Sequence, residues 1–147
     1  MRIRPYEKRD AKALVGLVRA LARYEKLTPI TPAAARRLVR DIGPRIRVLM
    51  AEVDGKPVGY AIYLFTYSSF LARPTLYLED VFVHPDHRRL GFGGMFFAEL
   101  HRQARRERCG RMEWVVLDWN TPARRFYRKL GARPLDDWIT YRLPLES

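Results

Sequence analysis

Apolar and polar positions change period several times along the chain, and each change marks an element. Residues 2–5 alternate and predict a short first strand. Asp10 can cap a helix running to about Leu27, because Leu14, Leu17, Val18 and Leu21 recur at helical spacing. Thr31 followed by Pro32 predicts the cap and first turn of a second helix ending near Gly43. Residues 46–53 and 57–66 read as strands joined at Asp54-Gly55, a hairpin turn pair. Residues 75–83 form the next strand. Gly93 or Gly94 opens a helix to about Arg108, and 111–117 follows as a strand. Asn120 caps a helix ending at Leu130, with Gly131 in the stop position. Short strands at 133–135 and 138–143 finish the pattern. The order β-α-α-β-β-β-α-β-α-β-β predicts a mixed α/β sheet, antiparallel in its first half with a parallel pair in the middle.

Composition narrows this picture. With 147 residues, 48% hydrophobic and 12% aromatic, the chain can bury one core, so residues 1–147 are expected to form a single domain. No apolar run approaches the ~20 residues of a membrane helix, and the first residues do not resemble a signal peptide. Cys109 is the only cysteine. These features predict a cytoplasmic protein without membrane or disulfide. His84, His87 and His101 have no ligand-like spacing with carboxylates, so no metal is expected. Cys109 has no histidine nearby in sequence to activate it and reads as a packing residue.

Charge leaves two readings open. Twenty-eight Lys and Arg against 16 Asp and Glu give +12. Such a surface suits an anionic partner or is simply solvated. A nucleic-acid interface would draw on Arg36, Arg37 and Arg40, and on Arg102, Arg105, Arg106 and Arg108. These arginines are not interleaved with a base-stacking motif, which disfavours that reading.

The candidate chemistry lies between Val81 and Gly94. An apolar strand end, Val81-Phe82-Val83, is followed by a loop containing Arg88, Arg89, Leu90, Gly91, Phe92, Gly93 and Gly94, and then by a helix. A helix N-terminus offers unpaired amides, and glycines let the backbone approach an anion. The arginines suit phosphate oxygens. The spacing is neither G-x-G-x-x-G nor a P-loop.

Arg88-x-x-Gly91-x-Gly93 after such a strand resembles the acetyl-CoA signature of the GNAT superfamily of N-acetyltransferases. Asn120-Thr121-Pro122-Ala123-Arg124-Arg125-Phe126-Tyr127, followed by Leu130-Gly131-Ala132, resembles a second segment of that superfamily. Within it the chain is similar to the spermidine/spermine and thialysine acetyltransferase branch. The matching pieces are LARYEKL at 21–27, YLFTYSSF at 63–70, LYLEDVFV at 76–83 and EWVVLDWNTPARRFYRKLGA at 113–132. The predicted element order agrees with the GNAT acyl-CoA N-acyltransferase fold.

The resemblance implies an acetyl-CoA-dependent N-acetyltransferase acting on a primary amine by direct attack in a ternary complex. It implies that Tyr127 protonates the departing thiolate and that Glu79 draws the proton from the amine. The phosphate loop, Asn120, Pro122, Tyr127 and the backbone of Val81, Phe82 and Val83 would hold the coenzyme. Tyr24, Glu25, Ser68, Glu79 and Asp80 would line the acceptor site. Glu79 and Asp80 are strand neighbours, so both face one cleft only if a bulge re-aims the strand. A carboxylate in such an apolar run needs a partner, either a substrate ammonium or an arginine of the protein. The branch also implies a homodimer, with Trp119, Trp138 and the C-terminal strands as candidate contacts or as core.

One segment departs from the branch. The polyamine enzymes carry an aspartate and a tryptophan where this chain has Ser68-Ser69-Phe70. Without that carboxylate, and on a +12 protein, a long polycation is a poor acceptor. A short diamine or a lysine-like amino acid is the expected small-molecule substrate. A protein amine is the alternative acceptor.

Overall fold

The computed structural model of the protein describes residues 1–145; the chain divides into two compact units, Met1–Val115 and Val116–Ser147. In the first unit, strands β1 (Arg2–Pro5), β2 (Arg47–Val53), β3 (Lys56–Ser68), β4 (Arg73–Val83) and β5 (Arg111–Glu113) lie side by side in chain order. The first four are antiparallel, and β4 and β5 are parallel. Helices α1 (Ala11–Tyr24), α2 (Pro32–Asp41) and α3 (Phe92–Arg106) complete this unit.

The β2–β3 turn places Asp54 at φ 50° and Gly55 at φ 76°, the left-handed pair that a two-residue hairpin requires. Thr31 caps α2 by accepting from the Ala34 amide at 3.1 Å. Helix α1 stops at Tyr24, short of the expected Leu27. Lys26 turns left-handed at φ 61°, and the Leu27 amide closes back on Ala22.

Asp10 does not cap α1 with its side chain. Its carboxylate is taken by Arg4, through bonds of 2.7 and 2.9 Å, and by the Glu7 amide at 2.8 Å. Arg4 also donates to Glu52 at 2.8 Å, and Arg2 pairs with the same carboxylate. Arg4, Asp10 and Glu52 are all buried. This cluster ties β1 to β2 and to the start of α1.

Each sheet face has its own core. Tyr60, Ile62 and Phe82 pack with Val48 and Met50 against Leu14 and Leu17 of α1, with Leu38 of α2 at the margin. The other face carries α3, which buries Phe92, Phe96, Phe97 and Leu100 and packs on β1, β4 and β5.

The β3–β4 register slips by one residue. Ile62 pairs with Asp80, but Tyr63 pairs with Leu78, which leaves Glu79 as the extra residue of a β-bulge. The bulge reverses the alternation along β4. Leu76 and Leu78, opposite Phe65 and Tyr63, face α3. Asp80 and Phe82, opposite Ile62 and Tyr60, face α1.

Two strand expectations are corrected. The strand expected at 111–117 ends at Glu113. It pairs with Thr75–Tyr77, just before the bulge bends β4 away. From Leu78 to Val83, β4 pairs with β3 alone among the described strands. The strands expected at 133–135 and 138–143 do not form. Alternation supplies a face but not a partner, and these residues have no ladder among the described ones. Trp138, Ile139, Tyr141 and Leu143 are left at least three-quarters exposed.

The second unit is built around α4 (Thr121–Lys129). Asn120 caps it, accepting from the Ala123 amide at 3.4 Å, and Gly131 ends it at φ 91°.

Candidate active site

The open edge of β4 follows from strand parity. The His84 amide bonds to the Val58 carbonyl across β3 at 2.8 Å. One residue earlier, Val83 therefore turns its own amide and carbonyl away from β3, and Val81 does the same. Phe82 pairs with Tyr60, so its backbone groups are engaged in the β3 ladder and are not at the open edge, where the expected coenzyme pairing would need them. Its ring is core.

Beyond the edge, His84 begins a turn that leads to Arg89 at φ 66° and Gly91 at φ 89°. Helix α3 then starts at Phe92, one residue earlier than expected. Met95 is the first residue whose amide bonds within the helix, to the Gly91 carbonyl at 3.1 Å. The amides of Phe92, Gly93 and Gly94 thus have no helical acceptor. Leu90 and Arg89 are exposed beside them. Open-edge peptide groups followed by free amides at a helix N-terminus fit an extended amide arm ending in a pyrophosphate, as in coenzyme A.

Arg88 does not point outward alone. Its Nε donates to the Val83 carbonyl at 3.0 Å, and its guanidinium lies 4.9 Å from the Tyr24 ring centroid and 5.3 Å from that of Phe82. It bridges the loop, the open edge and the end of α1.

Carboxylates gather on the same face. Asp80 is mostly buried, and burial pushes its carboxyl up to about 6; a hydrogen bond from Tyr60 opposes the rise, and the charges of Glu79 and Glu25 add to it. The Tyr60 hydroxyl donates to Asp80 Oδ2 at 3.1 Å. Tyr60 itself is fully buried, and burial with the Asp80 charge drives its hydroxyl far above the ordinary tyrosine value. Glu25, just past α1, is held up by burial. Glu79 is exposed at the bulge. None of the ion pairs among the described residues includes Glu25, Glu79 or Asp80.

Ser68 does not join them. It pairs with Arg73 at the far end of the hairpin, six residues along β3 from Ile62, roughly 20 Å at ~3.3 Å per residue. Its buried hydroxyl accepts from the Leu71 amide at 3.2 Å and is committed to the turn. Tyr60 was missed in the sequence because it reads as one more apolar strand residue. The available signal was that a buried tyrosine hydroxyl needs a partner.

In the second unit, Asn120 caps α4, and Pro122 and Tyr127 lie on it. The Tyr127 ring lies against Phe126, with centroids 5.8 Å apart. Asn120 is buried, consistent with its capping role.

A five-stranded mixed sheet with a bulged fourth strand, an open edge and an anion-ready helix start defines an acyl-coenzyme A transferase. Residues 17–132 match the acetyltransferase (GNAT) family, and the chain belongs to it. It is 33% identical to the thialysine N-epsilon-acetyltransferase of Sus scrofa, over 99% of this chain and 93% of that protein. It is 39% identical to the L-ornithine N5-acetyltransferase NATA1 of Arabidopsis thaliana, over 58% of this chain and 37% of that protein. A crystal structure of a probable acetyltransferase superposes with a TM-score of 0.86 at 19% identity, covering 100% of this chain and 99% of that one. The protein is an acetyl-CoA-dependent N-acetyltransferase.

Proposed function

We propose that the enzyme acetylates the terminal amine of a small lysine- or ornithine-like amino acid or a short diamine. One observation carries this reading. Glu25, Glu79 and Asp80 have no cationic partner among the described residues of a chain with twelve excess positive charges. Buried or clustered carboxylates without a cation are costly to keep, so the missing partner is a substrate ammonium. The thialysine and ornithine enzymes among the relatives support an amino-acid acceptor.

The chemistry needs a neutral amine, a held thioester and a protonated thiolate. Asp80 and Glu25 attract the ammonium. Glu79, exposed at the bulge, takes its proton, directly or through water. The amine nitrogen attacks the acetyl carbonyl carbon, the N–C bond forms, the C–S bond breaks and the nitrogen releases its second proton to solvent. Tyr127 gives its hydroxyl proton to the leaving sulfur and is reprotonated from solvent. Open-edge groups of Val81 and Val83 hold the pantetheine arm. The Arg88–Gly94 loop, with Asn120 and Pro122, completes coenzyme binding. Tyr24, stacked under Arg88, borders the acceptor.

The reading places the enzyme in the cytoplasm and as a homodimer. The exposed apolar residues of the C-terminal segment support the pairing of two copies, since patches of this kind mark interfaces. Among the described residues, no helix is long and apolar enough to cross a membrane.

The test is an acceptor panel with acetyl-CoA, read as release of free coenzyme A thiol. Thialysine, ornithine, lysine and 1,3-diaminopropane are expected to turn over faster than spermidine. Absence of release with every amine of the panel overturns the reading.

A further inference from the structure

Tyr60 lies on β3, directly across from Phe82 and diagonal to Asp80, on the face that packs against α1. Its ring is enclosed in that core, so its hydroxyl has one fixed position. That position is 3.1 Å from Asp80 Oδ2. No lysine, arginine or histidine pairs with Asp80 among the described residues. The charged groups around it are Glu79 on its own strand and Glu25 at the end of α1, both negative, while the Arg88 guanidinium rests over the Tyr24 and Phe82 rings. Tyr60 is therefore the protein group that favours the Asp80 anion against burial and two like charges.

We propose that Tyr60 is a positioning residue for acetyl transfer: its hydroxyl fixes the Asp80 carboxylate and keeps it anionic to receive the acceptor ammonium. This rests on the reading of Asp80 as an acceptor-site carboxylate. Phenylalanine fills the same core without the hydroxyl. The Asp80 carboxyl then loses the hydrogen bond that lowers its affinity for a proton, while burial and the neighbouring charges remain. A hydrogen bond to a charged group carries enough energy to move such a carboxyl by about one pH unit.

The experiment compares wild type, Tyr60→Phe, Asp80→Asn and Asp80→Glu. Carbon-detected NMR follows the Asp80 carboxyl, and kcat/KM for thialysine is measured from pH 5 to 9. Tyr60→Phe is expected to raise the carboxyl midpoint by about one unit. The acid limb of kcat/KM should rise with it, a loss of about five-fold at pH 6 that falls below two-fold at pH 8. The amine's own ionisation is common to all variants and does not move. A merely structural tyrosine would lower the melting temperature and leave both midpoints unchanged; that result overturns the proposal. Should Tyr60→Phe fail to fold, Asp80→Glu, which displaces the carboxylate by one methylene, is expected to move the limb in the same direction, and an unmoved limb counts against Tyr60. If Asp80→Asn leaves the amine kinetics intact, the acceptor-site reading itself falls. If Asp80→Asn is damaging while Tyr60→Phe is silent in both titrations, only the role of Tyr60 falls.

Discussion

Two groups of carboxylates lie in the first unit, and they have opposite fates. Asp10 and Glu52 meet Arg4 in a bidentate and shared geometry, with Arg2 outside. Hydrogen bonds from Arg4 hold both carboxyls below their usual values. Asp80 and Glu25 are instead pushed upward, chiefly by burial, and neither joins an ion pair among the described residues. The protein has cations to spare. A carboxylate left without one in such a chain is therefore informative. Satisfied charges hold the fold, and the unpaired ones are the carboxylates proposed for the acceptor site.

The contrast can be broken most severely at Arg4. Arg4→Ala strands Asp10 in the interior, and the expected loss is about 3 kcal/mol in urea denaturation. The opposite sign is expected at the other cluster. Asp80→Asn removes an ionised group that the fold tolerates poorly, so stability at pH 7.5 should rise by roughly 2 kcal/mol while kcat/KM for the amine collapses. A destabilised Asp80→Asn enzyme would end the comparison.

A pH series of denaturation midpoints sharpens it further. Asp80 has its folded value raised from 3.8 to about 6, so the folded state holds the proton more tightly than the unfolded. Its contribution to stability is most favourable below about 4 and declines as pH rises to about 6. Asp10 and Glu52 have lowered values, so their contribution is present above the ordinary carboxylate range and is lost as pH falls through it. Asp80→Asn should abolish the decline between about 4 and 6 and leave the acid loss unchanged. The smallest effect is expected at Arg2, whose side chain is 63% exposed. Arg2→Ala should change the urea midpoint little, since solvent screens such a pair.

Much of this was legible in the residues. Thr31-Pro32, Asp54-Gly55, Asn120 and Gly131 each carry local chemistry that forces a cap or a turn, and each behaves accordingly. The loop from Arg88 to Gly94 was legible for the same reason. What failed depended on partners distant in sequence. The apolar 114–117 run looks like a strand, but β4 turns away before it. Alternation at 138–143 could not reveal that no ladder awaits it. Ser68 is a different case: its neighbours match a motif, while its hydroxyl accepts from the Leu71 amide three residues on, within its own turn. The Tyr60–Asp80 bond joins residues on different strands, and only the register puts them together.

The bulge at Glu79 makes the site depend on register. Replacing Glu79 by another residue would change its chemistry but preserve the number of residues between Leu78 and Asp80, and so keep Asp80 and Phe82 on the α1 side. Deleting it would remove the bulge and leave Leu78 opposite Tyr63 and Asp80 opposite Ile62 in unbroken register. Asp80 and Phe82 would keep the α1 side, with the Phe82 ring still 6.5 Å from that of Tyr60 between centroids. The position therefore tolerates exchange and loss alike. What it does not tolerate is being paired: a slip that took Glu79 into the ladder would carry Asp80 to the α3 side and turn half a strand inside out.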